Sequence, residues 1–206
     1  MSLLVARQLA CVKNDRQLFA ALDLELSAGQ LIHLRGPNGA GKTSLLRLLT
    51  GLSQPASGQV VFRQQPVFNN PEFHQHLIYI GHQAGNNPRL SAIENLTFWC
   101  RSHGVPVPDD LYPLLAMLGL VGLEDVPVGH LSAGQQRRVA LARLWLKPAT
   151  LWILDEPFTA LDVQAIALLE SHIAAYLQQG GSVLMTSHQA LSNTLNADFI
   201  ELEYLW

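Results

Sequence analysis

Charge is scarce in this chain. Only 14% of its 206 residues are charged, and the formal net charge is −3. Without a basic excess there is no electrostatic footprint for nucleic acid, whose binding rests on phosphate neutralisation. Cysteine is scarcer: Cys11 and Cys100 stand far apart and match no zinc or redox spacing, which fits a reducing compartment. The stretch "CRSH", Cys100 to His103, lacks the Cys-x-x-Cys-His attachment pattern and reads as structural. No apolar run reaches the roughly 18 residues that a membrane span needs. The start, "MSLLVARQLACVKND", has no basic opening, long apolar stretch or cleavage pattern of a secretory signal. These absences point to a cytoplasmic protein whose membrane association, if any, comes through a partner. Internal repeats and low-complexity tracts are also lacking.

Apolar residues, by contrast, make up 49% of the chain, enough for one sizeable core with strands buried on both faces. Short β-rich runs alternate with helical patterns, the signature of an α/β sheet. The expected strands are Leu3–Val5, Leu22–Leu26, Leu31–Leu34, Gln59–Phe62, Leu77–Ile80, Leu151–Leu154 and Val183–Thr186, with a half-buried strand in "FIELEYLW". From about 84 to 146 the pattern is mostly helical. Ser91 with Glu94 forms a capping box, Asp109 and Asp110 start a second helix ended near Gly119, and Ser132 starts a third that Pro148 closes. This reads as a helical insert within one domain, 1–206. Phe98 and Trp99 at helical spacing read as core more readily than as a partner-facing pair.

Five segments carry chemistry. "GPNGAGKTS" places Gly36, Pro37, Asn38, Gly39, Ala40, Gly41, Lys42, Thr43 and Ser44 between a strand and an amphipathic helix. This is the phosphate-binding loop pattern: backbone N–H groups surround a β-phosphate, Lys42 reaches the β- and γ-phosphates, and Thr43 ligates Mg²⁺. "LWILDEP" ends a buried strand at Asp155, suited to the Mg²⁺ shell, and Glu156, suited to polarise an attacking water. Gln83 and His188 each follow a strand, at the carboxyl ends where ligands gather in open α/β sheets. Gln83 is expected to reach Mg²⁺ or its water, and His188 the γ-phosphate. "HLSAGQQRRVAL" opens a second helix suited to an anion, with Ser132 as cap and Gly134 permitting close approach.

Taken in order, GPNGAGKTS, Gln83, LSAGQ, LWILDEP, TALD and TSH resemble the ATP-binding cassette (ABC) family over essentially the whole chain. LSAGQ is the most specific element, since other phosphate-loop ATPases lack it. The resemblance implies an α/β P-loop NTPase fold: an ABC-type nucleotide-binding domain with a β-rich N-terminal part and an inserted helical subdomain. It implies ATP and Mg²⁺ as ligands. Ser132 and Gly134 become signature residues that act on a partner subunit's ATP in a head-to-tail homodimer. Ala160–Asp162 becomes the D-loop, with Asp162 at the dimer seam, and His188 the switch histidine.

Within the family, "LSAGQQRRVALARLWL" and "LWILDEPFTALD" look like the ATP-binding subunits of cytochrome c biogenesis complexes. That likeness implies an ATPase bound to an integral membrane subunit on the cytoplasmic face of the bacterial inner membrane. Hydrolysis there serves haem handling, either haem export or release of a haem-loaded chaperone, so the cassette meets haem only indirectly. The rival is a soluble ABC-type switch not coupled to transport. Many cassettes place an adenine-stacking aromatic where this chain has Lys13, which leaves the adenine contact open between Phe19, Arg16 and weak stacking.

Overall fold

A computed structural model describes residues 2–192 and 194–203. The chain begins with two long strands, β1 (Ser2–Lys13) and β2 (Arg16–Ser27), paired antiparallel. Asn14 and Asp15 join them, both with positive φ (50° and 59°). A two-residue turn of that hand matches the twist of a hairpin, and Asn and Asp tolerate it. Two further strands, β4 (Ser57–Phe62) and β5 (Gln65–Pro66), complete an antiparallel sheet in the order β2-β1-β4-β5.

The second sheet is parallel. It contains β3 (Leu31–Arg35), β6 (Leu77–Ile80), β7 (Leu151–Leu154), β8 (Ser182–Thr186) and β9 (Asp198–Glu201) in the order β6-β7-β8-β3-β9. All nine residues of β7 and β8 are buried, because both faces are covered. Period-two alternation divides them. Leu151, Ile153 and Leu184 pack with Leu4, Phe62, Leu45 and Leu49 under α1 (Lys42–Leu49) and the antiparallel sheet. Trp152, Leu154, Val183 and Met185 pack with Leu169 and Ile173 of α7 (Val163–Gln178). A short α2 (Pro71–His76), capped by Asn70, leads into β6.

The expected strands all form, although the N-terminal pair runs well beyond Leu3–Val5 and Leu22–Leu26. In "FIELEYLW", Phe199–Glu201 lie in β9, and 204–206 lie outside the described residues.

The middle of the chain holds α3 (Ala92–Ser102), α4 (Tyr112–Met117), α5 (Ala133–Leu141) and α6 (Arg143–Leu146). They bury their own cluster, including Leu96, Leu115, Leu120, Val128 and Val139. The Ser91–Glu94 capping box is present. The second helix differs from expectation: its N-cap is Leu111, without a side-chain cap. Asp110, one residue earlier, accepts the Tyr112 N–H at 2.8 Å and so satisfies one of the N–H groups that the helix start leaves unpaired. The third is interrupted at Ala142, giving α5 and α6, and it ends at Lys147 before Pro148. Phe98 corrects the core expectation: it is 66% exposed, because the insert buries Leu96 and Cys100 on the opposite face.

Candidate functional site

Four segments converge because four neighbouring parallel strands deliver them at their carboxyl ends. β3 leads into Gly36–Thr43, β6 into Gly81–Gln83, β7 into Asp155–Glu156, and β8 into Ser187–His188. The cavity between them measures about 380 Å³, and its lining includes Asn38, Lys42, Thr43, Asp155, Glu156 and His188.

The loop itself is a cradle of backbone. Gly39 and Gly41 have φ of 84° and 101°, and Gly41 is the N-cap of α1. Gly36 (φ 141°) has a different reason to be glycine: a Cβ there would lie 2.3 Å from the Leu202 carbonyl oxygen beside β9. Lys42 Nζ folds back over the loop, donating to the carbonyls of Gly36 at 2.6 Å and Pro37 at 3.1 Å. Ala40 is buried beneath the loop.

A chain of hydrogen bonds joins the loop to β7 and β8. The Thr43 hydroxyl donates to Asp155 Oδ2 at 2.8 Å. The buried Thr186 hydroxyl donates to Asp155 Oδ1 at 2.8 Å and accepts the Glu156 N–H at 2.8 Å. Glu156 adopts a left-handed backbone (φ 51°), a strained conformation of the kind that clusters at functional sites. Its Oε2 accepts the His188 N–H at 3.2 Å. Its Oε1 lies 3.4 Å from His188 Nε2 but is buried without a hydrogen-bond donor among the described residues. That leaves a carboxylate oxygen of a cavity-lining residue, shielded beside the His188 ring, with accepting capacity to spare.

The donor set fits a nucleotide with a hard cation. Thr43 and Asp155 present oxygens side by side at the loop–strand junction, the ligand type Mg²⁺ takes. Gln83 is exposed and lines an adjacent cleft of about 540 Å³ that shares Thr43 and His82 with the first cavity. Phe19 is unavailable to stack on a base. It is buried, and its ring would lie 3.3 Å from a Cβ at Gly41. Lys13 and Leu18 line the cavity there instead.

The model of the ABC transporter family matches residues 19–159. The chain belongs to this family. As a cassette of the family it is an ATPase. It is 51% identical, over 93% of its length and 92% of the relative's, to the cytochrome c biogenesis ATP-binding export protein CcmA of Escherichia coli (strain K12). Among solved structures, the ATP-binding subunit of an ABC transporter superposes with a TM-score of 0.85 at 24% identity, covering 98% of this chain and 88% of that one. The ATP-binding cassette MJ0796, solved as a dimer in a post-hydrolysis state bound to ADP and Pi, gives 0.84 at 19% identity, covering 98% and 97%. These two show the shared fold.

In this cassette Ser132 and Gly134 lie outside the cavity lining. Ser132 is exposed at the N-cap of α5, in a reciprocal capping box with Gln135. Gly134 sits against the turn before α7, where a Cβ would meet the Ala160 carbonyl oxygen at 2.3 Å. Asp162 caps α7, accepting the Ala165 N–H at 2.9 Å, and pairs with Arg138 of α5. So the LSAGQ and TALD segments are packed on each other within the chain.

Sequence reasoning missed three supporting residues. Thr186, in the "TSH" stretch, bridges the two acidic residues. His33 of β3 is buried behind the loop after β8, its Nε2 3.0 Å from the Ser187 carbonyl oxygen. Burial lowers its pKa below the ordinary value, which favours the neutral ring as donor to that carbonyl. Arg137, one of two adjacent arginines in "QQRR", gave no signal at all. Cys100 and His103 are placed as structural groups: Cys100 is buried, and the His103 ring stacks on Trp99 at 4.3 Å.

Proposed function

We propose that this chain is the ATP-hydrolysing subunit of a membrane ABC complex in cytochrome c biogenesis, coupling ATP binding and hydrolysis to haem handling. Support for the biological setting comes from its identity to a protein of that name along nearly the full length of both chains. The chemistry rests on one observation: Thr43, Asp155, Thr186 and Glu156 form a continuous hydrogen-bonded chain from the phosphate loop to the strand ends. The whole chain then acts as one cassette domain, with the segment at about 84–146 as its helical subdomain.

The substrate phosphates lie on Gly36–Ser44, where Lys42 exchanges its two carbonyl partners for β- and γ-phosphate oxygens. Thr43 and Asp155, with Gln83 from the adjacent cleft, would hold Mg²⁺, which when bound would supply positive charge against the transferred phosphoryl group. Glu156 orients the attacking water and accepts its proton at its carboxylate. His188 holds the Glu156 carboxylate from one side and the γ-phosphate from the other. In a homodimer, Ser132 and Gly134 present the N-terminus of α5 to the nucleotide of the second copy, where free N–H groups and the helix dipole favour an anion. Closure of the dimer is passed through the helical insert to an integral membrane subunit. Among the described residues no helix is long and apolar enough to cross a membrane, so the proposed location is peripheral, on the cytoplasmic face of the inner membrane.

Purification in detergent tests the setting. Recovery of the chain with a multi-spanning membrane protein, and of ATP hydrolysis in that complex, supports the reading. Recovery with ribosomes or DNA would favour a soluble ABC-type switch and overturn it.

A further inference from the structure

Arg137 lies in α5, three residues beyond Gly134, and is 5% exposed. Among the described residues no carboxylate pairs with its guanidinium. It is solvated by backbone carbonyls instead. Nη2 donates to Asp155 O at 2.6 Å and to Glu156 O at 2.9 Å. Nη1 donates to Gly81 O at 2.7 Å and reaches His82 O at 3.5 Å. Nε reaches Pro157 O at 3.4 Å. Every acceptor belongs to one of two turns: the one that carries Glu156 and the one that leads to Gln83.

This arrangement needs a planar fork of donors; an ammonium group cannot span both turns in one orientation. It also bears on the strained residue. The peptide carbonyls on either side of Glu156 Cα are gripped by the same nitrogen, Nη2. Rotating either peptide away from the left-handed conformation would break one of those bonds and strand a donor on a buried cation. Burial lowers the pKa of this guanidinium, but an arginine keeps its charge in a protein. Thr186 holds the Glu156 N–H and His188 its carboxylate, so Arg137 completes the set of contacts that fix this residue.

We propose that Arg137 is a positioning residue for hydrolysis: it holds the Glu156 backbone in its left-handed turn and ties that turn to the signature helix. The inference rests on the reading of Glu156 as the water-activating group. Arg137 lies outside the cavity lining and acts through the Glu156 turn, while its bonds to Gly81 and His82 anchor the same guanidinium to the neighbouring turn. Because it makes no bond to Gly36–Ser44, it affects the chemical step rather than nucleotide affinity.

The test compares full-length Arg137→Lys and Arg137→Gln with the wild type and Glu156→Gln. ATPase kinetics, ATP-dependent dimerisation and Tm are measured for each. A displaced general base costs on the order of 100-fold in rate. We expect kcat about 100-fold down in the Gln variant and about 10-fold down in the Lys variant, which recovers part of the carbonyl set. KM for ATP and ATP-dependent dimerisation should stay within about twofold of the wild type, since neither depends on the turn. A kcat within about twofold of the wild type in both variants would overturn the proposal. So would KM rising in step with the loss of kcat, loss of dimerisation, or failure of the Lys variant to fold. Full activity in Glu156→Gln is a different result: it would remove the reading of Glu156 on which the inference stands.

Discussion

Glu156 and His188 meet at two points. The His188 backbone N–H donates to Glu156 Oε2 at 3.2 Å, and the imidazole Nε2 stands 3.4 Å from Oε1. Each lies two residues past a strand end, Glu156 after β7 and His188 after β8, so the adjacency of those strands brings them together. The contact leaves Oε1 as the acceptor without a hydrogen-bond donor.

Glu156→Gln replaces that acceptor with an amide of nearly the same shape. Turnover should fall by about 100-fold or more, the scale of losing a positioned catalytic group. ATP affinity should be retained, and the protein should accumulate as an ATP-bound dimer. Steady-state ATPase assays with size-exclusion chromatography in ATP check both parts. Near-normal turnover would remove Glu156 from the mechanism.

Ser132→Arg tests the second phosphate contact. Ser132 is exposed and outside the cavity, so the monomer should bind ATP nearly as the wild type does. Losing the cap costs about 1 kcal/mol, and a cation at a helix N-terminus adds to that. Dimer closure in ATP, and with it hydrolysis, should be blocked by the bulky cation. Fluorescent-nucleotide binding alongside light scattering separates the two effects. Loss of ATP binding by the monomer would place LSAGQ in its own chain's cradle.

Thr186→Val keeps the shape of a buried side chain and deletes one hydroxyl. Asp155 Oδ1 loses a donor, and the Glu156 N–H loses its acceptor. Leaving such groups unsatisfied costs about 1–3 kcal/mol. The urea midpoint should drop with an unchanged m-value, and kcat should fall as Asp155 and Glu156 loosen. An unchanged midpoint would mean that the two bonds contribute nothing to stability.

Acid should destabilise the fold through imidazoles that packing withdraws from water, fully at His33 and in part at His103 and His172. His33, His103 and His172 all have pKa values lowered from 6.5, chiefly by burial. As pH falls through 6.5 the unfolded chain takes up protons that the folded chain refuses. Stability is therefore full above that value and declines as pH drops toward the folded-state pKa values. His172→Phe keeps a ring against Trp145, which the imidazole stacks on at 3.8 Å, and removes one titrating group. Urea unfolding from about pH 7.5 to about pH 5.5 should show a shallower decline in this variant than in the wild type. An identical slope would exclude His172 as a contributor.

Much of the site was legible in the amino-acid sequence because its chemistry is contiguous. The phosphate contacts proposed for Gly36–Ser44 come from its own backbone, and the spacing of glycines, Lys42 and Thr43 carries that expectation without reference to any other segment. The same holds for the Ser91–Glu94 box and the Ser132 cap, whose partners are three residues away. The buried run before Asp155 likewise declared a strand that ends in two carboxylates.

The tertiary structure decided what depends on strand order. Thr43 reaches Asp155 across 112 residues only because β3 and β7 both flank β8. The same order sets Thr186 between Asp155 and Glu156. It also decided which way ambiguous side chains face: Phe19 is packed under the loop, Phe98 points to solvent, and Arg137 points inward to five carbonyls. Local periodicity assigns a residue to a helix or strand, but the neighbours it meets come from how sheets and helices stack. Charge pattern alone marks Arg137 as a surface residue; only the packing of α5 against the ends of β6 and β7 makes it a buried support for Glu156.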